Sequence, residues 1–145
     1  MSRGIRLTNE ELEYIRLFES VTGATARDCI IDNKFDRVIF VIKEGEAGMA
    51  IGKGGRNISL LRKITGKNYE VVEFSEDPIQ FIKNALKPAN VKEIRITKKP
   101  DGNMIAVVSV DIKDKGIAIG KNGRNIEKAR TLAKRYFNIS NVLIV

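Results

Sequence analysis

Histidine is absent from this 145-residue sequence, and cysteine occurs once, as Cys29. Those shortages exclude imidazole acid–base catalysis, Ser-His and Cys-His nucleophile pairs, disulfides and Cys/His zinc sites together. A lone thiol suits a reducing compartment, and Cys29 reads as a small buried strand residue, because nothing nearby in sequence lowers its pKa. No stretch approaches the roughly 18 apolar residues of a membrane-crossing helix. The longest apolar runs, Val38–Ile42 and Met104–Val108, are strand-sized. The N-terminus opens no secretory segment, since Arg6, Glu10 and Glu11 interrupt it. A cytoplasmic location with no membrane partner is therefore expected. Aromatic residues are only 6%, too few for base stacking on an aromatic platform to be the main binding mode. Gly/Ser-rich, Pro-rich and low-complexity tethers are also missing.

What is present is basic charge and enough apolar surface to fold. Lys plus Arg number 26 against 18 Asp plus Glu, a net charge of +8, and 43% of residues are hydrophobic. The sequence also contains itself twice. Gly48-Met49-Ala50-Ile51-Gly52-Lys53-Gly54-Gly55-Arg56-Asn57-Ile58 recurs as Gly116-Ile117-Ala118-Ile119-Gly120-Lys121-Asn122-Gly123-Arg124-Asn125-Ile126, at an offset of 116 − 48 = 68. Upstream, Ile39–Ile42 lies over Val107–Val110 without a gap.

Each half yields the same succession of elements. In the first, Thr8-Asn9-Glu10-Glu11 is a capping box, with Leu7 and Leu12 placed as a hydrophobic staple. A helical stripe of Leu12, Ile15 and Phe18 follows and Gly23 stops it. Strands are expected at Arg27–Asp32 and Arg37–Lys43, then a short helix over Ala47–Ile51. A second helix carries Ile58, Leu61 and Ile64 and ends at Gly66, and a strand spans Tyr69–Phe74. In the second half, Asp77 caps a helix over Pro78–Leu86 with Pro at its first position. Strands follow at Val91–Thr97 and Met104–Ile112, around a Pro100-Asp101-Gly102 turn. A short helix ends at Ile119, a longer one carries Ile126, Ala129, Ala133 and Phe137, and a strand spans Val142–Val145. The expected class is α+β, with two αββααβ domains at 1–75 and 76–145, each a three-stranded sheet with helices on one face. Domains so small bury a limited share of their surface, and the short link favours docking of one on the other. Met49 and Met104 read as core filler, and Tyr69, Tyr136 and Phe137 as packing residues.

Gly52-Lys53-Gly54-Gly55 and Gly120-Lys121-Asn122-Gly123 each fall between two helices. Glycine lets backbone turn sharply and approach a ligand. The following helix offers free N–H groups and the positive end of its dipole, a setting suited to phosphate. Arg56 and Arg124 then place a cation in the first helical turn, where the dipole prefers an acid. A purely structural turn gains nothing from that mismatch, whereas a bound phosphate reverses its sign. Between Gly52 and Lys67 stand Lys53, Arg56, Arg62, Lys63 and Lys67 with no acid. Between Gly120 and Arg135 stand six bases, Lys128 among them, against Glu127 alone. By halves, residues 1–75 hold 12 bases and 11 acids, net +1, and residues 76–145 hold 14 and 7, net +7.

Other phosphate motifs fail on spacing. A P-loop needs four residues between its glycines and Ser or Thr after Lys, but Gly48 to Gly52 encloses three and Gly54 follows Lys53. A dinucleotide fingerprint needs Gly where Asn57 stands, and a strand before the loop. A nucleotide-handling enzyme would need a base and a metal-holding carboxylate pair. Only Glu44, Glu46, Asp111 and Asp114 lie near the loops, so no enzyme, cofactor, metal site or small-molecule substrate is expected.

At these residues the sequence resembles tandem KH domains of the type II, αββααβ kind, in which a Gly-x-x-Gly loop clamps about four nucleotides of RNA backbone. Over nearly its whole length it resembles the archaeal form of the NusA transcription-factor family, a bare KH pair. The resemblance implies a single-stranded RNA-binding protein of transcription elongation, termination or antitermination, with RNA polymerase as a further partner. The bacterial members add an N-terminal polymerase-binding domain and an S1 domain, for which 145 residues have no room. A ribosome- or translation-associated KH protein is the alternative, since it uses the same clamp. Matched to the motif, the RNA-binding residues are Ile51, Gly52, Lys53, Gly54, Gly55, Arg56, Asn57, Arg62 and Lys63 in the first domain. In the second they are Ile119, Gly120, Lys121, Asn122, Gly123, Arg124, Asn125 and Lys128. The family also implies an apolar groove for bases beside each loop. Two clamps on one strand gain avidity.

Overall fold

A computed structural model describes residues 5–145. The chain divides into two compact units that meet between Phe74 and Ser75. The first runs α1 (Asn9–Thr22), β1 (Ala26–Asp32), β2 (Arg37–Ile42), α2 (Ala47–Ile51), α3 (Arg56–Thr65) and β3 (Asn68–Glu73). The capping box forms: the Thr8 hydroxyl accepts the Glu11 N–H, and the Glu11 carboxylate accepts the Thr8 N–H. Gly23 ends α1 in the left-handed conformation, φ 75°. The sheet order is β1-β2-β3, with β2 antiparallel to β1 and parallel to β3. The parallel pair is what a strand–helices–strand crossover produces.

Alternation along β2 sends Val38, Phe40 and Ile42 to the helical side. There they meet Ile15 and Phe18 of α1, Ala50 of α2, Leu61 of α3, Cys29 and Tyr69. Phe40 stacks between Phe18, at 4.1 Å between ring centroids, and Tyr69, at 5.9 Å. Cys29 is fully buried. Ile64, expected on the inner stripe of α3, is instead 54% exposed. α3 has only ten residues, and its inward face is already filled by Ile58 and Leu61.

The second unit repeats the order: α4 (Pro78–Leu86), β4 (Glu93–Lys98), β5 (Met104–Ser109), α5 (Ile112–Ile119), α6 (Arg124–Phe137) and β6 (Ile139–Ile144). The Asp77 carboxylate accepts the Ile79 N–H at 3.0 Å, with Pro78 opening the helix. The sheet order is β4-β5-β6, again antiparallel then parallel. The core joins Phe81, Ile82 and Leu86 of α4 to Leu132 and Tyr136 of α6 and to Ala106, Val108 and Val142 of the sheet. Phe81 meets the rings of Tyr136 and Phe137 edge-on, at 5.3 and 5.7 Å.

Several strand bounds move by one or two residues from the sequence reading, and two move by three. β5 stops at Ser109 and Ile112 opens α5, 88% exposed, because Asp111 turns the chain at the helix cap. β6 starts at Ile139, directly after Asn138 ends α6 in the left-handed conformation, φ 57°. The even offset of 68 keeps strand faces matched: Val38, Phe40 and Ile42 correspond to Ala106, Val108 and Val110, all buried. Among the described residues no helix is long and apolar enough to cross a membrane, and no group of three or more Cys, Asp or Glu is placed to hold a metal ion.

Candidate nucleic-acid interface

Both loops are single turns of 3-10 helix, Lys53–Gly55 and Lys121–Gly123, set between α2 and α3 and between α5 and α6. Their backbones agree to within a few degrees. Gly52 has φ 79°, ψ 165° and Gly120 has φ 78°, ψ 166°, a region open essentially to glycine alone. Gly54 has φ 64°, ψ 20° and Asn122 has φ 57°, ψ 22°. This left-handed well is one that Asn tolerates, which explains the one substitution within the repeated loop.

The first glycine is required twice over. Besides its φ, a Cβ on Gly52 would lie 2.9 Å from the Asn57 side-chain nitrogen, and one on Gly120 would lie 2.7 Å from the Asn125 backbone nitrogen. The crowding comes from a brace. Asn57 donates its amide to the Met49 carbonyl at 2.9 Å, tying α3 to the end of α2. Asn125 does more, donating to Leu86 O at 2.8 Å and to Ile117 O and Ala118 O at 3.3 Å. Asn57 and Asn125 therefore position the loops from inside, and Asn125 is only 8% exposed.

Two of the amides in each loop are used by the turn itself. Gly55 N–H donates to Gly52 O and Gly123 N–H to Gly120 O, both at 3.0 Å, while Arg56 and Arg124 donate to Lys53 O and Lys121 O. Lys53, Gly54, Lys121 and Asn122 form the exposed tips. Arg56, Arg62 and Lys63 are also exposed. Among the described residues, none of Lys53, Arg56, Arg62, Lys63 and Lys121 has an ion-pair partner within 4.0 Å. Lys63 lies seven residues, two turns, beyond Arg56 on the same face of α3.

Two cations of α6 are less open than the rest. Lys128, read from the sequence as RNA-binding, is 6% exposed and is engaged within the chain. Arg124 is half-buried and also has a partner. In the second unit α4 packs along α6, whereas in the first α1 lies chiefly on β1. Position 60, equivalent to 128, holds an exposed Leu60.

The loops also carry an apolar rim. Ile51 and Ile119 are both 41% exposed, and beside them stand Met49 at 50% and Ile117 at 48%. Met49 is thus not core filler. Ala50 and Ala118, both fully buried, are the contact points of their helices, and neighbours of a contact point lie about 100° to either side of it. A small residue between two large apolar ones at the end of each helix was the available signal.

Comparison with known proteins places this geometry. Residues 14–76 match the KH domain family and residues 78–143 match the NusA-like second KH domain family. The chain is 40% identical over 138 residues to the probable transcription termination protein NusA of Halobacterium salinarum, covering 95% of this chain and 96% of that protein. To the protein of the same name from Methanocaldococcus jannaschii it is 31% identical over 141 residues, 97% of this chain and 75% of that one. The crystal structure of APE1850 superposes with a TM-score of 0.83 at 45% identity, covering 96% of this chain and all (100%) of that one. With both halves matching KH families and archaeal relatives aligned nearly end to end, the chain belongs to the NusA family of tandem KH-domain proteins.

Proposed function

We propose that this protein is a non-catalytic, single-stranded RNA-binding factor of transcription termination, gripping RNA backbone with its two Gly-x-x-Gly loops. The observation that carries the reading is the pair of near-identical exposed loops, each tipped by an unpaired lysine and rimmed by exposed apolar residues. Phosphate lies against main chain and Lys53 or Lys121, and bases lie against Ile51 and Met49 or Ile119 and Ile117. The archaeal relatives supply the biological setting, being named transcription termination proteins. The Bacillus subtilis relative, a transcription termination/antitermination protein, is 29% identical over 86 residues, which is 22% of its length. Antitermination and contact with RNA polymerase follow for this chain only if the KH pair carries them.

The test replaces Lys53-Gly54 and Lys121-Asn122 with Asp-Asp, singly and together, in the full chain. Circular dichroism checks the fold, and fluorescence anisotropy follows an unstructured RNA. Each loop lost lowers affinity roughly tenfold at about 0.15 M salt, because a phosphate contact becomes a repulsion. Unchanged affinity in the double variant would remove the proposal.

A further inference from the structure

Chain topology brings a second basic feature to the end of the sheet that carries the second loop. β6 starts beside Met104, so α6 ends at the β4–β5 hairpin turn and begins, with Gly120–Gly123, at the opposite end. β4 starts there too, with Glu93 opposite Ser109, so the end of α4 and the connection through 87–92 share that end of the sheet. The 2.8 Å bond from the Asn125 amide to Leu86 O ties the last turn of α4 directly to the first turn of α6. Along α4 and the connection that follows it lies an open groove of about 460 Å³ lined by Gln80, Lys83, Lys87, Pro88, Ala89, Asn90 and Val91. No carboxylate lines it. Lys83 and Lys87 stand one helical turn apart, and among the described residues neither has an ion-pair partner. Among the described residues the last turn of α1 holds no base, and its Glu19 carboxylate accepts the Ala26 N–H.

We infer that RNA held at the second loop runs on across the last turn of α4, where Lys83 and Lys87 bind the phosphates of nucleotides beyond the clamp. The inference rests on the proposed function, because it extends the same RNA path. It makes the second domain's footprint longer than the first's and assigns part of the +7 charge of residues 76–145 to a defined track.

Lys83 also suits the negative end of the α4 dipole, so stability and RNA binding must be read separately. Lys83→Gln, Lys87→Gln and their double variant are compared in the full chain with Lys98→Gln/Lys99→Gln, at the hairpin end of the sheet. The probes are unstructured RNAs of about four nucleotides, the length one clamp holds, and of roughly twice and three times that. Each phosphate contact on a single strand contributes about 0.7 to the slope of log affinity against log salt, or roughly fourfold in affinity at about 0.15 M. The double variant is expected to lose about 1.4 from the slope and more than tenfold in affinity on the longer RNAs. It should change little on the shortest, and Lys→Arg at both sites should restore binding. The same loss on all three lengths, an unchanged slope, or an equal loss in the hairpin pair overturns the inference. The Lys121-Asn122→Asp-Asp chain separates the two readings. If it binds normally, the clamp fails whatever the groove does; if it loses roughly tenfold in affinity while the groove variants behave as wild type, only the groove is lost.

Discussion

Gly120→Ala tests whether the loop's shape comes from its backbone or from the charges around it. At φ 78°, ψ 166° an alanine pays about 1–3 kcal/mol for a conformation that L residues rarely adopt. Its Cβ would also sit 2.7 Å from the Asn125 backbone nitrogen and 2.9 Å from the Asn125 Cβ. Neither atom can rotate away, so α6 must shift relative to α5 and loosen the Asn125 hydrogen bonds, each worth about 0.5–1.5 kcal/mol net. The sum is roughly 3 kcal/mol or more. Gly52→Ala carries the same backbone cost, but its nearest clash is the Asn57 amide at 2.9 Å, which can turn aside with the loss of one hydrogen bond, for about 2–3 kcal/mol in all. Gly54→Ala has open space around it and costs only the left-handed penalty of about 1–2 kcal/mol. Gly54→Asn, copying Asn122, falls below that. Urea denaturation followed by far-ultraviolet circular dichroism orders the four variants. For a domain of this size each kcal/mol corresponds to about 4–8 °C in Tm. Equal stability of Gly120→Ala and Gly54→Ala would refute the reasoning, because it would mean that the junction of α5 and α6 relaxes freely around an added methyl.

Asn125→Ala, which frees carbonyls at the ends of both α4 and α5, is expected to cost about 2–3 kcal/mol by denaturant titration, against about 1 kcal/mol for Asn57→Ala. Burial holds the Tyr69 phenol above its ordinary pKa of 10.0, and its hydroxyl donates a 2.7 Å hydrogen bond to Thr65. A raised folded-state pKa gives stability that is intact below pH 10 and is lost as pH rises through the folded value, so Tyr69→Phe should flatten the fall in stability above pH 10. With residues 1–75 at net +1 and 76–145 at +7, a chain keeping only its first loop (Lys121-Asn122→Asp-Asp) should show a shallower salt dependence of RNA affinity than one keeping only its second.

The fold was legible because local signals agreed with each other. Thr8 and Glu11, Asp77 with Pro78, Gly23 and Gly66 mark helix ends by capping chemistry that needs no tertiary partner, and the bounds of α2 and α4 follow the sequence to the residue. Errors arose where tertiary contacts decide. Val110, Asp111 and Ile112 continue an apolar strand pattern in the sequence, yet only the cap at Asp111 reveals that Ile112 starts a helix. Ser140 and Asn141 look like turn residues, but β6 is a sheet edge that tolerates them facing outward. At the loops, exposure of Lys53 and Lys121 follows from position alone. The two asparagines look like ligand-facing polar groups, because nothing local says that their amides reach carbonyls 8 and 39 residues away.

The same limit governs what a repeat can transmit. From Gly48 to Ile58 and from Gly116 to Ile126 the two halves differ at only two positions, and their loops are superposable by dihedral angle. Beyond that point they diverge: α3 has ten residues and α6 fourteen, and the offset between β3 and β6 becomes 139 − 68 = 71. The longer α6 packs along α4, and it buries Lys128 and Leu132 at the positions where α3 exposes Leu60 and Ile64. The duplication therefore preserves the loops, the part that in the proposed function meets a chemically uniform ligand, the phosphate backbone. It frees the helix behind each loop to differ, open in one copy and packed in the other. A single-stranded RNA crossing both would meet two equivalent grips in two unlike surroundings, and any preference for sequence or length must come from the surroundings, because the grips themselves are alike.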